Sequence, residues 1–222
     1  MTGSFGGFLF GDRREAGRLL AAKLGELELA DPVVVGLPRG GVPVAYEVAK
    51  ALEAPLDIGL VRKLGAPGQP ELGIGALGED GTVILDRDAV AALGVGRERL
   101  EAIVASERVE LERRRELYRE GREPIEVRDR EVVIVDDGLA TGVTAAAAAA
   151  VMRSRGAARV VVAVPVCPAS AGRRLASAFD ELVCVERPRH FGGVGSWYRD
   201  FAQTRDGEVI ELLRAGRELD SA

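Results

Sequence analysis

Apolar residues recur along this chain at two periods, and the switching between them outlines the architecture. Ala16, Leu19, Leu20, Leu24 and Leu27 stand at helical spacing behind Asp12 and Glu15, which have the separation of a capping box. That pattern predicts a helix from Asp12, broken at Asp31-Pro32. Val33 to Leu37 is instead a continuous apolar run that closes on Gly36, Pro38, Gly40 and Gly41. It reads as a strand of a parallel sheet, buried on both faces, followed by a tight loop. Helical spacing resumes over Pro43 to Leu52, and Leu56 to Val61 reads as a second strand ending at Arg62-Lys63.

Leu64 to Gly81 is rich in glycine, holds two prolines and has few large apolar residues, the composition of a mobile loop or an irregular hairpin. Thr82 to Leu85 is a short strand. Arg97 to Glu123 alternates Arg and Glu along one long charged helix, or two, with a sparse apolar face of Ile103, Val104, Leu111 and Leu117. Such a helix is expected to be solvated and laced with intrahelical ion pairs, or else to form an oligomer contact or an anion-collecting patch. Glu131 to Asp137 is the clearest strand. Val143 to Arg155, with its alanine run Ala145 to Ala150, is the clearest helix. Arg159 to Val166, Ala169 to Phe179 and Glu181 to Val185 follow as strand, helix and strand. This alternation implies an α/β fold, a mostly parallel sheet covered by helices on both faces.

Composition narrows the class. A chain of 222 residues with 47% apolar and 29% charged residues suits one α/β domain with a soluble surface. The formal net charge of -5 argues against general nucleic-acid binding. Met1 to Gly11 is apolar and Gly-rich but lacks a basic flank or a small-residue cleavage site, so no targeting segment is expected. The best apolar run, Val160 to Cys167, is strand-sized, and no membrane span is expected. Cys167 and Cys184 lie in apolar runs and read as buried thiols, in keeping with a reducing cytoplasm.

The chemistry concentrates in Val132-Val133-Ile134-Val135-Asp136-Asp137-Gly138-Leu139-Ala140-Thr141-Gly142-Val143-Thr144. Two carboxylates emerge at the C-terminal end of a buried strand, where α/β sheets place ligands. Gly138 and Gly142 let the backbone approach an anion closely. The helix that follows turns its free N–H groups and positive dipole end toward that anion. Thr141 and Thr144 add hydroxyl donors. Carboxylates beside a phosphate cup suit a sugar diol or Mg²⁺, directly or through water. The plain alternative is a helix-capping turn with exposed aspartates, which two acids beside a glycine-rich cup disfavour.

This segment resembles the signature of the type I phosphoribosyltransferases: four apolar residues, two acids, then a Thr-Gly loop and a later threonine. Gly36-Leu37-Pro38-Arg39-Gly40-Gly41 resembles the family's pyrophosphate loop, whose non-proline peptide is often cis; here that bond is Pro38–Arg39. Arg62-Lys63 resembles the basic pair that many members direct to the pyrophosphate, and the Gly-rich stretch after it resembles their catalytic lid. The elements stand in the family's order, and the resemblance covers roughly Val33 to Val185. The whole pattern looks like a group of "predicted phosphoribosyltransferases" with a Pro-Arg-Gly-Gly loop, an Asp-Asp-Gly-x-Ala-Thr-Gly cup and an aromatic Trp-Tyr tail, a group that brings no established acceptor with it.

The resemblance implies one domain over residues 1–222: a parallel sheet flanked by helices, with a core of about 30–186 and the tail 187–222 as a small variable hood. It implies Mg²⁺-dependent transfer of phosphoribosyl from phosphoribosyl pyrophosphate to a nitrogen acceptor, a nucleobase, with release of pyrophosphate. Gly138, Leu139, Ala140, Thr141, Gly142, Val143 and Thr144 would grip the 5′-phosphate. Asp136 and Asp137 would hold the ribose hydroxyls and orient the metal through water. Arg39, Gly40, Gly41 and Lys63, with Pro38 and Arg62, would stabilise the leaving pyrophosphate. Trp197, Tyr198 and Phe201 are candidates for base contact in the hood. A homodimer is common in the family. The second reading is a regulator that binds phosphoribosyl pyrophosphate without transferring it.

One departure and three decoys refine this. Oxopurine-specific members carry an aspartate where this chain has Ala140, which counts against hypoxanthine or guanine as acceptor. His190, the sole histidine, has no catalytic pattern around it. Gly73-Ile74-Gly75-Ala76-Leu77-Gly78 matches a dinucleotide fingerprint in letters but lacks the strand before it and the helix after it. The cup also lacks the lysine of a P-loop.

Overall fold

The computed structural model describes residues 9–175 and 177–219; the N-terminal segment read above as free of targeting signals lies mostly outside them. Its centre is a parallel sheet of five strands, β1 (Pro32–Gly36), β2 (Leu56–Ile58), β6 (Glu131–Val135), β7 (Arg159–Val166) and β8 (Glu181–Glu186), in the order β2-β1-β6-β7-β8. The valine runs explain why the sheet is buried on both faces: successive side chains point to opposite sides, and every side needs an apolar residue. Val34, Val133, Val135 and Val161 pack against Leu20 and Leu24 of α1 (Arg13–Leu24), Val44 and Val48 of α2 (Gly41–Leu52), and Val209, Leu212 and Leu213 of α7 (Asp206–Leu219). Val33, Ile134, Val160 and Val162 pack on the other face with Ala148, Ala149 and Met152 of α5 (Val143–Ser154). Small alanine side chains let α5 lie close to the sheet.

A second, antiparallel sheet is formed by β3 (Val61–Ala66), β4 (Gln69–Gly78) and β5 (Val83–Leu85). Two expectations change here. The strand expected over Leu56 to Val61 stops at Ile58, where the Gly59 N–H bonds the Gly36 carbonyl at 2.9 Å. A Cβ on Gly59 would lie 2.8 Å from Leu37 Cδ2 and 2.9 Å from Val35 Cγ1, so glycine lets the chain cross closely over the end of β1 and enter the second sheet. Arg62 and Lys63 therefore lie inside β3, opposite Leu77 and Ala76. The glycine-rich stretch after them takes the hairpin form, with register irregularities at Leu64–Gly65 and Gly65–Ala66. Leu64, Ile74 and Leu77 are buried in the main core, while Gly73 and Gly78 face Val143 and Val151 of α5. Glycine here removes bulk between two packed layers.

The helix expected over Ala169 to Phe179 is a single turn, α6 (Ala171–Arg174). A short α3 (Arg87–Ala92) precedes α4 (Arg97–Arg119), which is one unbroken helix. The aromatic stretch of the tail contains a 3₁₀ turn (Val194–Trp197), and the rest of the tail is α7 against α2 and β2. The helical spacing of Val209, Leu212, Leu213 and Gly216 was present in the sequence, and Gly216 marks the close contact with Leu56. Among the described residues, no helix is long and apolar enough to cross a membrane.

The C-terminal end of α4 is fixed by a buried ionic cluster. Arg119 donates through Nε to Glu79 Oε2 at 2.8 Å and through Nη2 to the Ile58 carbonyl at 3.0 Å, and it pairs with Asp57. Asp57 also accepts from the Ile125 N–H at 2.9 Å. Burial pushes the Glu79 carboxyl up despite the guanidinium beside it. One residue thus ties α4 to both sheets. Arg119→Met would strand two buried carboxylates, and chemical denaturation should show a loss of about 3–5 kcal/mol. A loss within about 0.5 kcal/mol, the range of ordinary surface substitutions, would show that the cluster does not hold the sheets together.

Candidate active site

The sheet order reverses direction between β1 and β6. The chain leaves β1 toward β2 on one side, and leaves β6 toward β7 and β8 on the other. The C-terminal ends of these two strands are adjacent, with Gly36 in register with Val135. The two connecting loops diverge there and leave a crevice, the usual ligand position of an open parallel sheet.

The first loop runs from Leu37 to Gly41. The Leu37 N–H bonds the Val135 carbonyl at 2.9 Å, and the Gly41 N–H bonds the Leu37 carbonyl at 3.0 Å. The Pro38–Arg39 peptide is cis. The second loop runs from Asp136 to Gly142. It is held to β7 by the Leu139 N–H on the Val166 carbonyl at 2.9 Å. Gly142 has φ +76°, in the left-handed region that favours glycine, and a Cβ there would overlap Leu175. The first bond of α5 runs from the Ala146 N–H to the Gly142 carbonyl at 2.9 Å. Amides ahead of it, those of Val143, Thr144 and Ala145, have no acceptor within the helix. Thr141 and Thr144 are exposed at this end of α5.

The two acids sit where the loops touch. A Cβ on Gly40 would overlap the Asp137 carboxylate, and one on Gly41 would lie 2.8 Å from Asp136 Cα. Asp136 accepts from the Asp137 N–H at 2.9 Å. Burial pushes its carboxyl well up from the usual range, and the negative charge of Asp137 adds to that. Burial also raises Asp137, opposed by the charge and hydrogen bond of Arg13. Arg13 Nε lies 2.8 Å from Asp137 Oδ2, with both side chains largely shielded from solvent. The guanidinium also donates to the Ala202 carbonyl at 2.7 Å and stacks over the Phe201 ring at 4.0 Å. The Tyr198 hydroxyl donates to the Asp137 carbonyl at 2.5 Å.

Pro38, Arg62, Lys63 and Thr144 come together around a cleft of about 380 Å³ whose wall also includes Glu107 and Arg114 of α4. Arg62 Nε lies 2.5 Å from Glu107 Oε2, and Arg114 Nε lies 2.8 Å from Glu110 Oε1. Arg39 turns toward the start of α7, where its Nη1 is 3.8 Å from Asp206 Oδ1. Asp206 also accepts from the Tyr118 hydroxyl, whose pKa is pushed up to about 12 by burial and then by that carboxylate.

The aromatic residues of the tail separate by position. Tyr198 is buried between Phe10 at 5.2 Å and Phe201 at 5.0 Å, so its ring supports the loop under Asp137 and has no open face for a base. Phe201 lies between Arg13 and Tyr198. Trp197 is partly exposed and donates to the Phe191 carbonyl at 2.9 Å. Val194 packs directly on Gly138, where a Cβ would clash.

Arg13, Glu107, Arg114 and Val194 were not anticipated as site residues. Arg13 left one readable sign. Arg13-Arg14 places two cations in the first turn of a helix, where the dipole disfavours positive charge. A nearby carboxylate answers that oddity, but only the fold shows which one.

The phosphoribosyl transferase domain model matches residues 13–200. A protein of Mycobacterium tuberculosis strain H37Rv, named "Putative phosphoribosyl transferase Rv0571c", is 50% identical over 215 residues, 96% of this chain and 48% of its own length. Its counterpart in strain CDC 1551, MT0597, matches equally. The chain thus spans about half the length of the curated relatives it matches. The crystal structure of TT1426 from Thermus thermophilus is 46% identical, superposes with a TM-score of 0.86, and is covered over 97% of its length by 92% of this chain. With the sheet reversal, the glycine-opened α5 and the acid pair in place, these likenesses assign the chain to the phosphoribosyl transferase domain family.

Proposed function

We propose that this chain transfers the phosphoribosyl group of phosphoribosyl pyrophosphate to a nitrogen acceptor, a nucleobase, as a cytoplasmic enzyme of nucleotide metabolism. The observation that carries the proposal is the junction of the two loops. The amide-bearing start of α5 after Gly142, a pair of largely shielded carboxylates and the loop of the cis Pro38–Arg39 bond meet at one sheet reversal. A ligand with phosphate, diol and pyrophosphate in series satisfies all three.

In this reading Gly138 to Thr144 hold the 5′-phosphate through backbone N–H groups and the two threonine hydroxyls. Asp136 and Asp137 accept from the ribose hydroxyls. Both carboxyls are raised by burial, so they gain from hydroxyl donors or a cation. The same hard oxygen donors fit Mg²⁺, held through water. No group of three or more potential ligands occurs among the described residues, so the remaining ligands would come from water and substrate. When bound, the metal would supply positive charge against the pyrophosphate oxygens. Gly40, Gly41 and Lys63, with Arg62 and Arg114 in the cleft wall, face the leaving group; Arg39 would have to exchange Asp206 for it. The pyrophosphate leaves as the bond from the anomeric carbon to its oxygen breaks and the acceptor nitrogen supplies the new pair. Trp197 is the partly open aromatic surface for a planar acceptor, and the stretch around Val194 to Phe201 is the hood over the cup.

A screen of purines, pyrimidines and amines for pyrophosphate release tests the activity. Asp136→Asn and Asp137→Asn should each slow release by at least about 10²-fold with the fold intact. Absence of any calorimetric heat on mixing phosphoribosyl pyrophosphate, Mg²⁺ and the wild-type chain would refute the site. Arg13→Ala should lower kcat/KM by roughly tenfold or more, because Asp137 loses its cation, and Arg13→Lys should recover only part, because an ammonium cannot reproduce the planar fork. Equal kcat/KM in Arg13→Ala and wild type would show that Asp137 needs no such anchor.

A further inference from the structure

The outward face of α4 belongs to none of the machinery described so far. Its buried contacts come from Leu111, Tyr118 and Arg119, and its Glu107 and Arg114 turn to the cleft. The opposite stripe and the neighbouring β5 line an apolar groove of about 620 Å³. Leu100, Val104, Ala105 and Val109 form its floor beside Val83 of β5. Val109 is 74% exposed, well above every other exposed large apolar residue among those described. β5 is also an edge strand, paired only with β4. Apolar surface of this kind beside an open sheet edge marks a contact surface.

We infer that this face binds a second copy of the chain, with the two α4 helices antiparallel about a two-fold axis passing between Val104 and Ala105. The charge order along the helix selects this occupant. In an antiparallel pair, residues equally far from the axis face each other, and each pairing occurs twice. About this axis Val104 meets Ala105, and Leu100 meets Val109. Glu101 meets Arg108, and Arg97 meets Glu112. The apolar pairs lie at the centre and the opposite charges flank them, as in a helical seam with charged rims. Other arrangements lose this match. A parallel pair would set Glu101 against Glu101. An axis between Ser106 and Glu107 would set Glu101 against Glu112, and an axis through Ala105 would set Arg97 against Arg113. A partner of one net sign would satisfy only half of the stripe. Within one chain Arg97 pairs with Glu101 at 2.7 Å, at 90% and 62% exposure, and Glu112 with Arg115 at 3.4 Å. Such exposed pairs contribute little and can be exchanged for pairs across the axis.

Sedimentation equilibrium on the full chain tests the inference. A dimer is expected at micromolar concentration. Glu101→Arg and Arg108→Glu each create two like-charge contacts per dimer and should weaken association by roughly tenfold or more. The double variant E101R/R108E restores opposite charges at both positions and should return to near the wild-type dissociation constant. Val109→Asp should dissociate the dimer. All three positions are exposed, so circular dichroism and melting should match wild type. A chain that stays monomeric up to about 100 μM, a dimer indifferent to these changes, or a double variant as weak as the single ones would overturn the proposal. Association does not depend on the transferase reading, so either can fail without the other.

Discussion

Two carboxylates at the end of a buried strand repel each other and lose hydration. Everything at the site follows from how that cost is met. Asp137 is held by Arg13 on one side and by the Tyr198 hydroxyl on its carbonyl. Arg13 reaches it because α1 starts beside the crevice, and the guanidinium is fixed there by Phe201 and the Ala202 carbonyl. The first helix and the aromatic tail, far apart in the chain, are thus joined through one aspartate. Asp136 has only the Asp137 amide and the distant charge of Arg13 to favour its ionised form, and its carboxyl remains raised. A carboxylate left in that state is prepared for a hydroxyl donor or a cation.

Closeness is the second constraint, and glycine provides it. Gly40 and Gly41 let the β1 loop lie against the two acids, while Gly138 admits Val194 and Gly142 admits Leu175. The same device acts away from the site, where Gly73 and Gly78 let the β3–β4 hairpin settle on α5. That hairpin carries Lys63 and Arg62 to the cleft on a packed support, with Leu64, Ile74 and Leu77 in the main core. Cations held this way need little reorganisation to meet an anion that enters the cleft.

The charged helix α4 serves three surroundings along one rod. Its end is pinned between the sheets by Arg119, its inner face gives Glu107 and Arg114 to the cleft, and its outer face carries a charge order that is complementary to itself. A simple alternation of Arg and Glu therefore conceals different roles, because a helix presents residues one turn apart to the same neighbour and residues half a turn apart to opposite ones.

Local pattern was enough to determine the valine strands, their parallel sheet, the α5 helix and the acid-glycine cup. In each case the signal is short-range: continuous burial, a glycine where the backbone must close in, a helix start after a strand end. Pro38, Gly40 and Gly41 were legible for the same reason. Tertiary structure decided where β2 ends, because the break at Gly59 answers to Leu37 and Val35 across the sheet. It also decided that the glycine-rich stretch is a packed hairpin, since Gly73 and Gly78 face α5 and Gly75 faces the backbone of β5. Only the fold could assign Arg13 to Asp137, which lies 124 positions away, or turn Tyr198 from a candidate base platform into a buried prop. Those pairings depend on which segments the sheet brings together, and charge or aromaticity at one position carries no record of its distant partner.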